Sequence, residues 1–252
     1  MMLPAACVAQ SAQIGAVPEA NPARPTVSTP ATLTPVGYLQ FETGALFAQT
    51  SPEFSDLWNI NEVIKVTVHP RLQLIMGLAP LASATGEVNE TAFGGLAVGF
   101  QSVLLGAGDA NTTLAISYLH TTINSVVPDT DIGTPSNSGL VLLSTNAAKF
   151  HFDINGIFSQ QTVENASHTQ YGQTLSISHP IWKLSGQGEI WHFSQPFLHG
   201  NAVGLLWAAS YTARKNLVFD AGFQHGLTST STQWEEFFGF TYLWPHRLWK
   251  GH

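Results

Sequence analysis

Charged residues are scarce in this chain of 252 residues and make up 10% of it, against about 25% in soluble globular domains. No run of about eighteen uncharged apolar residues occurs, which excludes a transmembrane helix. The one cysteine, Cys7, leaves no internal disulfide to form. The formal net charge of −7 disfavours a nucleic-acid partner. Hydrophobic residues reach an ordinary 44%, so Gly, Ser, Thr, Asn and Gln supply most of the polar surface.

An alternation of apolar and polar side chains runs through the chain from Tyr38 onward. It is clearest at 150–163, and it is the pattern of half-buried strands. In the segment 184–195, Trp191 and Phe193 share a face with Glu189, so the pattern does not decide which face of this segment meets lipid. The segments are 38–49, 57–68, 72–82, 92–105, 112–125, 139–146, 150–163, 171–179, 184–195, 203–213, 217–225 and 233–243.

The breaks between these segments also alternate in length. Short breaks at 69–71, 147–149, 180–183 and 214–216 alternate with longer polar breaks at 50–56, 84–91, 126–137 and 164–170. Short periplasmic turns and longer extracellular loops are typical of barrels in the bacterial outer membrane. The sequence therefore predicts an all-β fold, an antiparallel up-and-down transmembrane β-barrel of about twelve strands, spanning 38–249. Its seven Trp and fifteen Phe suit aromatic girdles at the two interfaces.

The first 37 residues differ in composition from the rest. Residues 1–13 resemble the end of a secretory signal peptide, with small uncharged residues and an Ala-rich, cleavage-like stretch. Residues 14–37 are rich in Pro, Ala and Thr and show no periodicity. We therefore expect 1–37 to be a signal-peptide remnant followed by a disordered periplasmic lead-in.

Several stretches resemble a known family. They are GYLQFETG at 37–44, INEVIK at 60–65, YGQTLSISHP at 171–180, GEIWHFSQPF at 188–197 and the final run TARKNLVFDAGFQHGLTSTSTQWEEFFGFTYLWPHRLW. They are similar to outer-membrane transporters associated with the meta-pathway of phenol degradation. The resemblance implies a barrel for passive uptake of small solutes, including aromatic or hydrophobic compounds. The aromatic stretch 237–244 resembles the C-terminal signal of the barrel assembly machinery, which we expect as a partner beside outer-membrane lipid.

Polar positions on one face of the segments form the candidate lumen lining. The register predicts that Phe152, Phe158, Phe219 and Phe223 face lipid and that Lys65 pairs with Glu42 on the neighbouring strand. The set could line a pore or fill the barrel as a polar plug, since twelve strands lie between filled and open barrels. Its carboxylates outnumber Lys65, which favours cationic or neutral solutes over anions. The candidates are Gln40, Glu42, Lys65, Gln73, Gln101, Asp153, Asn155, Asp220, Gln224 and Glu235.

Three other functions are weighed against a channel. The ten histidines are scattered, without a paired spacing on one strand face, so we expect no metal and no cofactor. An outer-membrane hydrolase would need a Ser and a His on one face. Ser178 and His179 are neighbours on a strand and must point to opposite faces, so we predict that the chain is not an enzyme. A structural or adhesive barrel without transport remains the alternative.

Overall fold

The computed structural model describes residues 18–86, 89–108, 110–128, 130–131, 135–163 and 166–249, and the signal-like residues 1–13 lie outside that part. It contains thirteen strands. They are β1 (Leu39–Gln49), β2 (Asp56–His69), β3 (Leu72–Thr85), β4 (Glu90–Ala92), β5 (Leu96–Leu105), β6 (Thr112–Ile123), β7 (Asn137–Ala147), β8 (Phe150–Val163), β9 (Ala166–Ile181), β10 (Leu184–Gln195), β11 (Gly200–Arg214), β12 (Leu217–Gly226) and β13 (Trp234–Leu243). Among the described residues, no helix is long and apolar enough to cross a membrane.

The strands form one closed antiparallel sheet. Strands that are neighbours in the chain pair with each other, except that β4 and β5 both pair with β3, and β1 pairs with β13 to close the barrel. The three residues of β4 lie end to end with β5 along the same edge of β3, so thirteen strands fill twelve positions. The predicted up-and-down barrel of twelve strands is confirmed.

Two irregularities interrupt the wall near its extracellular end. Ile60 pairs with Leu81 and Glu62 with Leu78, so Ala79 and Pro80 stand together opposite Asn61. Proline has no N–H to donate to the ladder, and a bulge is one of the few places where a sheet accepts it. On the other side of β3, residues 93–95 break the predicted segment 92–105 into β4 and β5, and Gly95 takes a φ of +106°.

The two faces of the wall have opposite chemistry. In β8, Asp153 and Asn155 are buried, whereas Ile154 and Phe158 are 43% and 53% exposed. Polar groups inside and apolar groups outside reverse the arrangement of a water-soluble protein, and an apolar outer band is what a bilayer requires. Phe152 and Phe223 point to the same outer face, as the alternation predicts.

The turns identify the two ends of the barrel. Two residues connect β2 to β3, β7 to β8, β9 to β10 and β11 to β12, all at the end where β1 starts and β13 finishes. The opposite end carries longer connections, including 50–55, 124–136 and 227–233. The long break expected at 164–170 is wrong, because β9 begins at Ala166. At the short-turn end, the connection 106–111 between β5 and β6 is longer than the others. By the usual pattern of these barrels the short turns are periplasmic and the long loops extracellular.

Candidate functional site

The inside of the barrel is occupied by residues 18–36, called here the inner segment. It starts at the periplasmic end, where the Ala20 N–H donates to the Lys215 carbonyl over 2.8 Å. It returns to that end, where Val36 forms a parallel bridge with Thr67 and the Gly37 N–H donates to the Thr67 carbonyl. These residues differ from the disordered lead-in expected from their composition. Having no periodicity, they form no strand of their own, and polar side chains of the wall satisfy their backbone instead.

The inner segment makes one circuit of the wall. Its backbone N–H groups donate to Glu42 on β1, Glu189 on β10, Asn155 on β8, Ser144 on β7 and Gln73 on β3. On the wall, β5 lies between β7 and β3, and its Gln101 side chain donates to the carbonyl of Pro30. The segment therefore contacts the wall on all sides of the lumen.

Glu189 holds the segment at its middle. One carboxylate oxygen accepts from the Val27 N–H at 2.8 Å, and the other accepts from the Ser28 N–H at 2.7 Å and the Ser28 hydroxyl at 2.6 Å. The Ser28 hydroxyl is also 2.7 Å from that of Thr174 on β9. Glu189 could not be assigned to the lumen from the sequence. Trp191 and Phe193 share its face of the strand, and both look like lipid-facing residues. In the structure all three point inward, and Trp191 and Phe193 are 1% exposed.

In the part of the chain that the structure describes, two ion pairs of Lys or Arg with a carboxylate lie inside the barrel. Lys65 pairs with Glu42, the pairing expected from the sequence. Arg24 of the inner segment donates two hydrogen bonds to the Asp220 carboxylate, from Nη2 over 3.1 Å and from Nε over 3.3 Å. The Arg24 guanidinium lies against Gly44 and Gly239, which face each other across β1 and β13. A Cβ on Gly239 would collide with the Thr43 carbonyl oxygen, so this position needs glycine, whereas a Cβ on Gly44 would displace the Arg24 guanidinium.

All ten predicted lumen residues point inward, and none of these residues is more than 7% exposed. Their role as the lining of a conduction path stays a prediction. Six of them hold the inner segment directly: Gln40, Glu42, Gln73, Gln101, Asn155 and Asp220. Gln224 and Glu235 bond to each other nearer the extracellular mouth, and Asp153 accepts from Ser144 and contacts His151.

Negative charge is in excess inside the barrel. Among the described residues, six buried carboxylates face the interior, Glu42, Asp131, Asp153, Glu189, Asp220 and Glu235, against the cations Lys65 and Arg24. With His151 neutral, the six carboxylates and two cations give the interior a net charge of −4. A low-dielectric wall focuses the field of such charges into the lumen.

Among the described residues, a cavity lies toward each end of the lumen. The extracellular cavity, of about 300 Å³, is lined by Arg24, Val27, Leu46 and Leu206 and by three aromatic rings, those of Trp191, Phe193 and Phe237. Glu235, Gln224 and Asn61 add polar groups to the same wall. The periplasmic cavity, also of about 300 Å³, is lined by the end of the inner segment, residues 32–36, together with Val103 and Thr113.

Part of an extracellular loop folds into the mouth of the barrel. Asp131, between β6 and β7, accepts from the Thr232 N–H at 2.8 Å through its carboxylate. Its backbone carbonyl accepts from the side chains of Gln170 and Gln195. The extracellular cavity thus lies between this loop, which covers it from outside, and the inner segment below.

The residues weighed for hydrolysis serve other contacts. His179 faces outward and contacts the Lys149 carbonyl, whereas Ser178 belongs to the inner face. Another histidine of the outer face, His192 on the neighbouring strand β10, lies 2.9 Å from Gln173 and 3.3 Å from Asn201. In the described part of the chain, no three His, Cys, Asp or Glu side chains are placed to hold a metal ion together.

Comparisons with known proteins support the architecture. No family model and no curated protein sequence matches this chain. Among solved structures, the COG4313 outer membrane channel from Pseudomonas putida F1 aligns with a TM-score of 0.61 at 12% identity, over 85% of this chain and 98% of that one. The NanC porin aligns with a TM-score of 0.53 at 9% identity, over 81% and 98%. The β domain of the Bordetella autotransporter BrkA gives 0.51 at 12%, over 82% and 99%. At these identities the likeness is one of fold, and together with the apolar outer wall it identifies the chain as a β-barrel of the bacterial outer membrane.

Proposed function

We propose that this protein is a passive channel for small solutes, including aromatic compounds, and that the inner segment closes its lumen at rest. The observation that carries the proposal is the pair of cavities separated by a segment that holds the wall through hydrogen bonds instead of belonging to the sheet. The sheet closes through β1 and β13 without this segment, so the segment can move while the wall stays intact.

The chemistry of the extracellular cavity supports a class of solute. Its three aromatic rings offer stacking surfaces, and a planar ring packs on such surfaces with a gain of about 0.5–1.5 kcal/mol for each pair. A cavity of about 150 Å³ lined by apolar side chains can hold benzene, so the 300 Å³ present here accommodate a substituted ring. The excess of carboxylates favours a neutral or cationic solute over an anionic one. The resemblance to transporters associated with phenol degradation agrees with an aromatic solute.

Transport is tested with purified protein in planar bilayers and in liposomes. Stepwise current openings, together with faster uptake of benzylammonium than of benzoate into liposomes, are the expected results. The two probes have similar size and opposite charge, so their ratio isolates the effect of the interior carboxylates. The channel would be refuted if correctly folded wild type and Glu189→Ala, which lacks the contacts of Glu189 with the inner segment, both gave no current and no uptake of either probe.

A structural barrel is the second candidate, and one observation favours it. The inner segment bonds to seven or more wall side chains, and such a filled lumen could serve only to hold the barrel together. The same bilayer experiment separates the two functions, because a purely structural plug gives no openings even when its contacts with the wall are weakened.

A further inference from the structure

Two carboxylates on the outer wall are not terminal residues of their strands. Among the described strand residues that face lipid, Glu62 on β2 and Glu236 on β13 are the charged side chains in such positions. Both strands are neighbours of β1, so both carboxylates lie on one side of the barrel. A charged side chain against lipid costs free energy and marks a site where a partner is expected.

The two carboxylates have different surroundings. Glu62 accepts a hydrogen bond from the Thr43 hydroxyl on the neighbouring strand, which supplies a partner. In the part of the chain that the structure describes, Glu236 makes no hydrogen bond or ion pair. By register it stands between Phe47 on β1 and Phe223 on β12, and Trp234 and Phe238 flank it along its own strand. Four aromatic rings therefore surround a carboxylate that faces outward.

This carboxylate lies in a groove on the outer wall. The groove has a volume of about 800 Å³, and its small floor residues are Ala209, Ala221 and Gly222. Two stacked ring pairs border it: Phe47 with Phe238, whose centroids are 6.3 Å apart, and Trp207 with Phe223 at 5.4 Å. The floor spans two neighbouring strands, since Ala209 on β11 pairs with Ala221 on β12.

We propose that this groove binds a lipid of the outer leaflet whose headgroup carries a primary ammonium group. The ammonium meets Glu236 and the faces of the surrounding rings, and the chain lies over the alanine floor. In the low dielectric of the membrane an ion pair is much stronger than in water, and a cation over an aromatic ring adds to it. Glu236 is the third residue of β13, counted from the extracellular end, so the lipid it meets is expected to belong to the outer leaflet.

A second copy of this chain fits the groove less well. Among its described strand residues, the lipid-facing wall carries no Lys or Arg away from the strand ends, so it offers no cation to Glu236. A symmetric contact through this face would instead bring like charges together. A lipid ammonium supplies the missing charge and reaches the groove from within the membrane.

The proposal is tested with detergent-purified protein titrated with phosphatidylethanolamine or phosphatidylglycerol of identical chains and analysed by native mass spectrometry. These probes share the phosphate and the tails, and only the first has an ammonium. We expect wild type to retain the ethanolamine lipid about fivefold more strongly, equivalent to about 1 kcal/mol. Glu236→Gln should abolish this preference, and Phe238→Leu should reduce it.

Glu62→Gln is the matched control, because it neutralises the other lipid-facing carboxylate, outside the groove. It should keep the fivefold preference. Equal retention of both lipids by wild type would overturn the proposal, as would an unchanged preference in Glu236→Gln. A dimer that disappears in Glu236→Gln, without a lipid preference, would overturn it in favour of a second copy. Heat-modifiable migration on gels checks that each variant is folded.

Discussion

The contact between Glu189 and the inner segment gives the sharpest prediction of the proposed gating. Glu189→Ala removes three hydrogen bonds, from the two N–H groups of Val27 and Ser28 and from the Ser28 hydroxyl. Each hydrogen bond to a charged group contributes about 1.5–3 kcal/mol, and part of that sum is offset because the buried carboxylate no longer loses its hydration. A net weakening of roughly 2–4 kcal/mol raises the ratio of displaced to docked segment by about 30- to 1000-fold.

The effect is measured as open probability in single-channel recordings at fixed voltage. Wild type should open rarely, and Glu189→Ala should open far more often with the same β-barrel content by circular dichroism. Thr241→Val is the matched control, because Thr241 is fully buried on the lumen face of β13 and its hydroxyl has no hydrogen-bond partner in the described structure. It should behave as wild type.

One result would refute the reasoning. If Glu189→Ala is folded and its open probability equals that of wild type, the segment is not the gate or this carboxylate does not hold it. A rise in both variants would also count against the argument, because it would show that any change of the lumen wall opens the channel.

Three further predictions concern the wall and the interior charge. Phe152→Arg should destabilise the barrel in urea unfolding from lipid vesicles by roughly 2–4 kcal/mol, whereas Phe150→Arg, at the periplasmic strand end, should cost about 0–1 kcal/mol; equal costs would contradict the depth assigned to β8. The double change Glu235→Gln and Asp153→Asn should shift the reversal potential in a salt gradient toward zero, and no shift would exclude these residues from the path. Lys65→Gln leaves its partner carboxylate buried alone, so thermal unfolding should show a loss of about 3–5 kcal/mol, and cation preference should rise.

Alternation made the wall predictable, because a strand at a lipid boundary must put apolar residues on one side. It gave β8 and β10 with the bounds that the structure has, and it placed Asp153 and Asp220 inside. It could not assign Trp191 and Phe193, since aromatic residues suit both a membrane interface and a packed interior. The bulge at Ala79 and Pro80 in β3 could not be predicted, because it depends on how β3 pairs with the strands on either side and not on the pattern of its own residues.

The ordered path of the inner segment could not be predicted from a sequence pattern, for a different reason. Its residues carry no periodicity because their partners are side chains spread over most strands of the barrel. Side chains of the wall hold the inner segment in place by accepting hydrogen bonds from its backbone N–H groups. These acceptors include Glu42, Gln73, Asn155 and Glu189. Those wall residues could be identified as inward-facing, apart from Glu189, but a single sequence does not show that their ligand is the chain itself.

The path of the inner segment also bears on how the molecule is assembled. Arg24 bonds to Asp220 across 196 residues, so the part of the chain made early can reach its final place only when the last strands have formed. Ala20 and Gly37 both lie at the periplasmic mouth, because one bonds to Lys215 and the other to Thr67. The segment can therefore enter a finished barrel as a bent loop through that single mouth. No chain end has to be threaded through the wall, and the loop can leave and return by the same route without unfolding a strand.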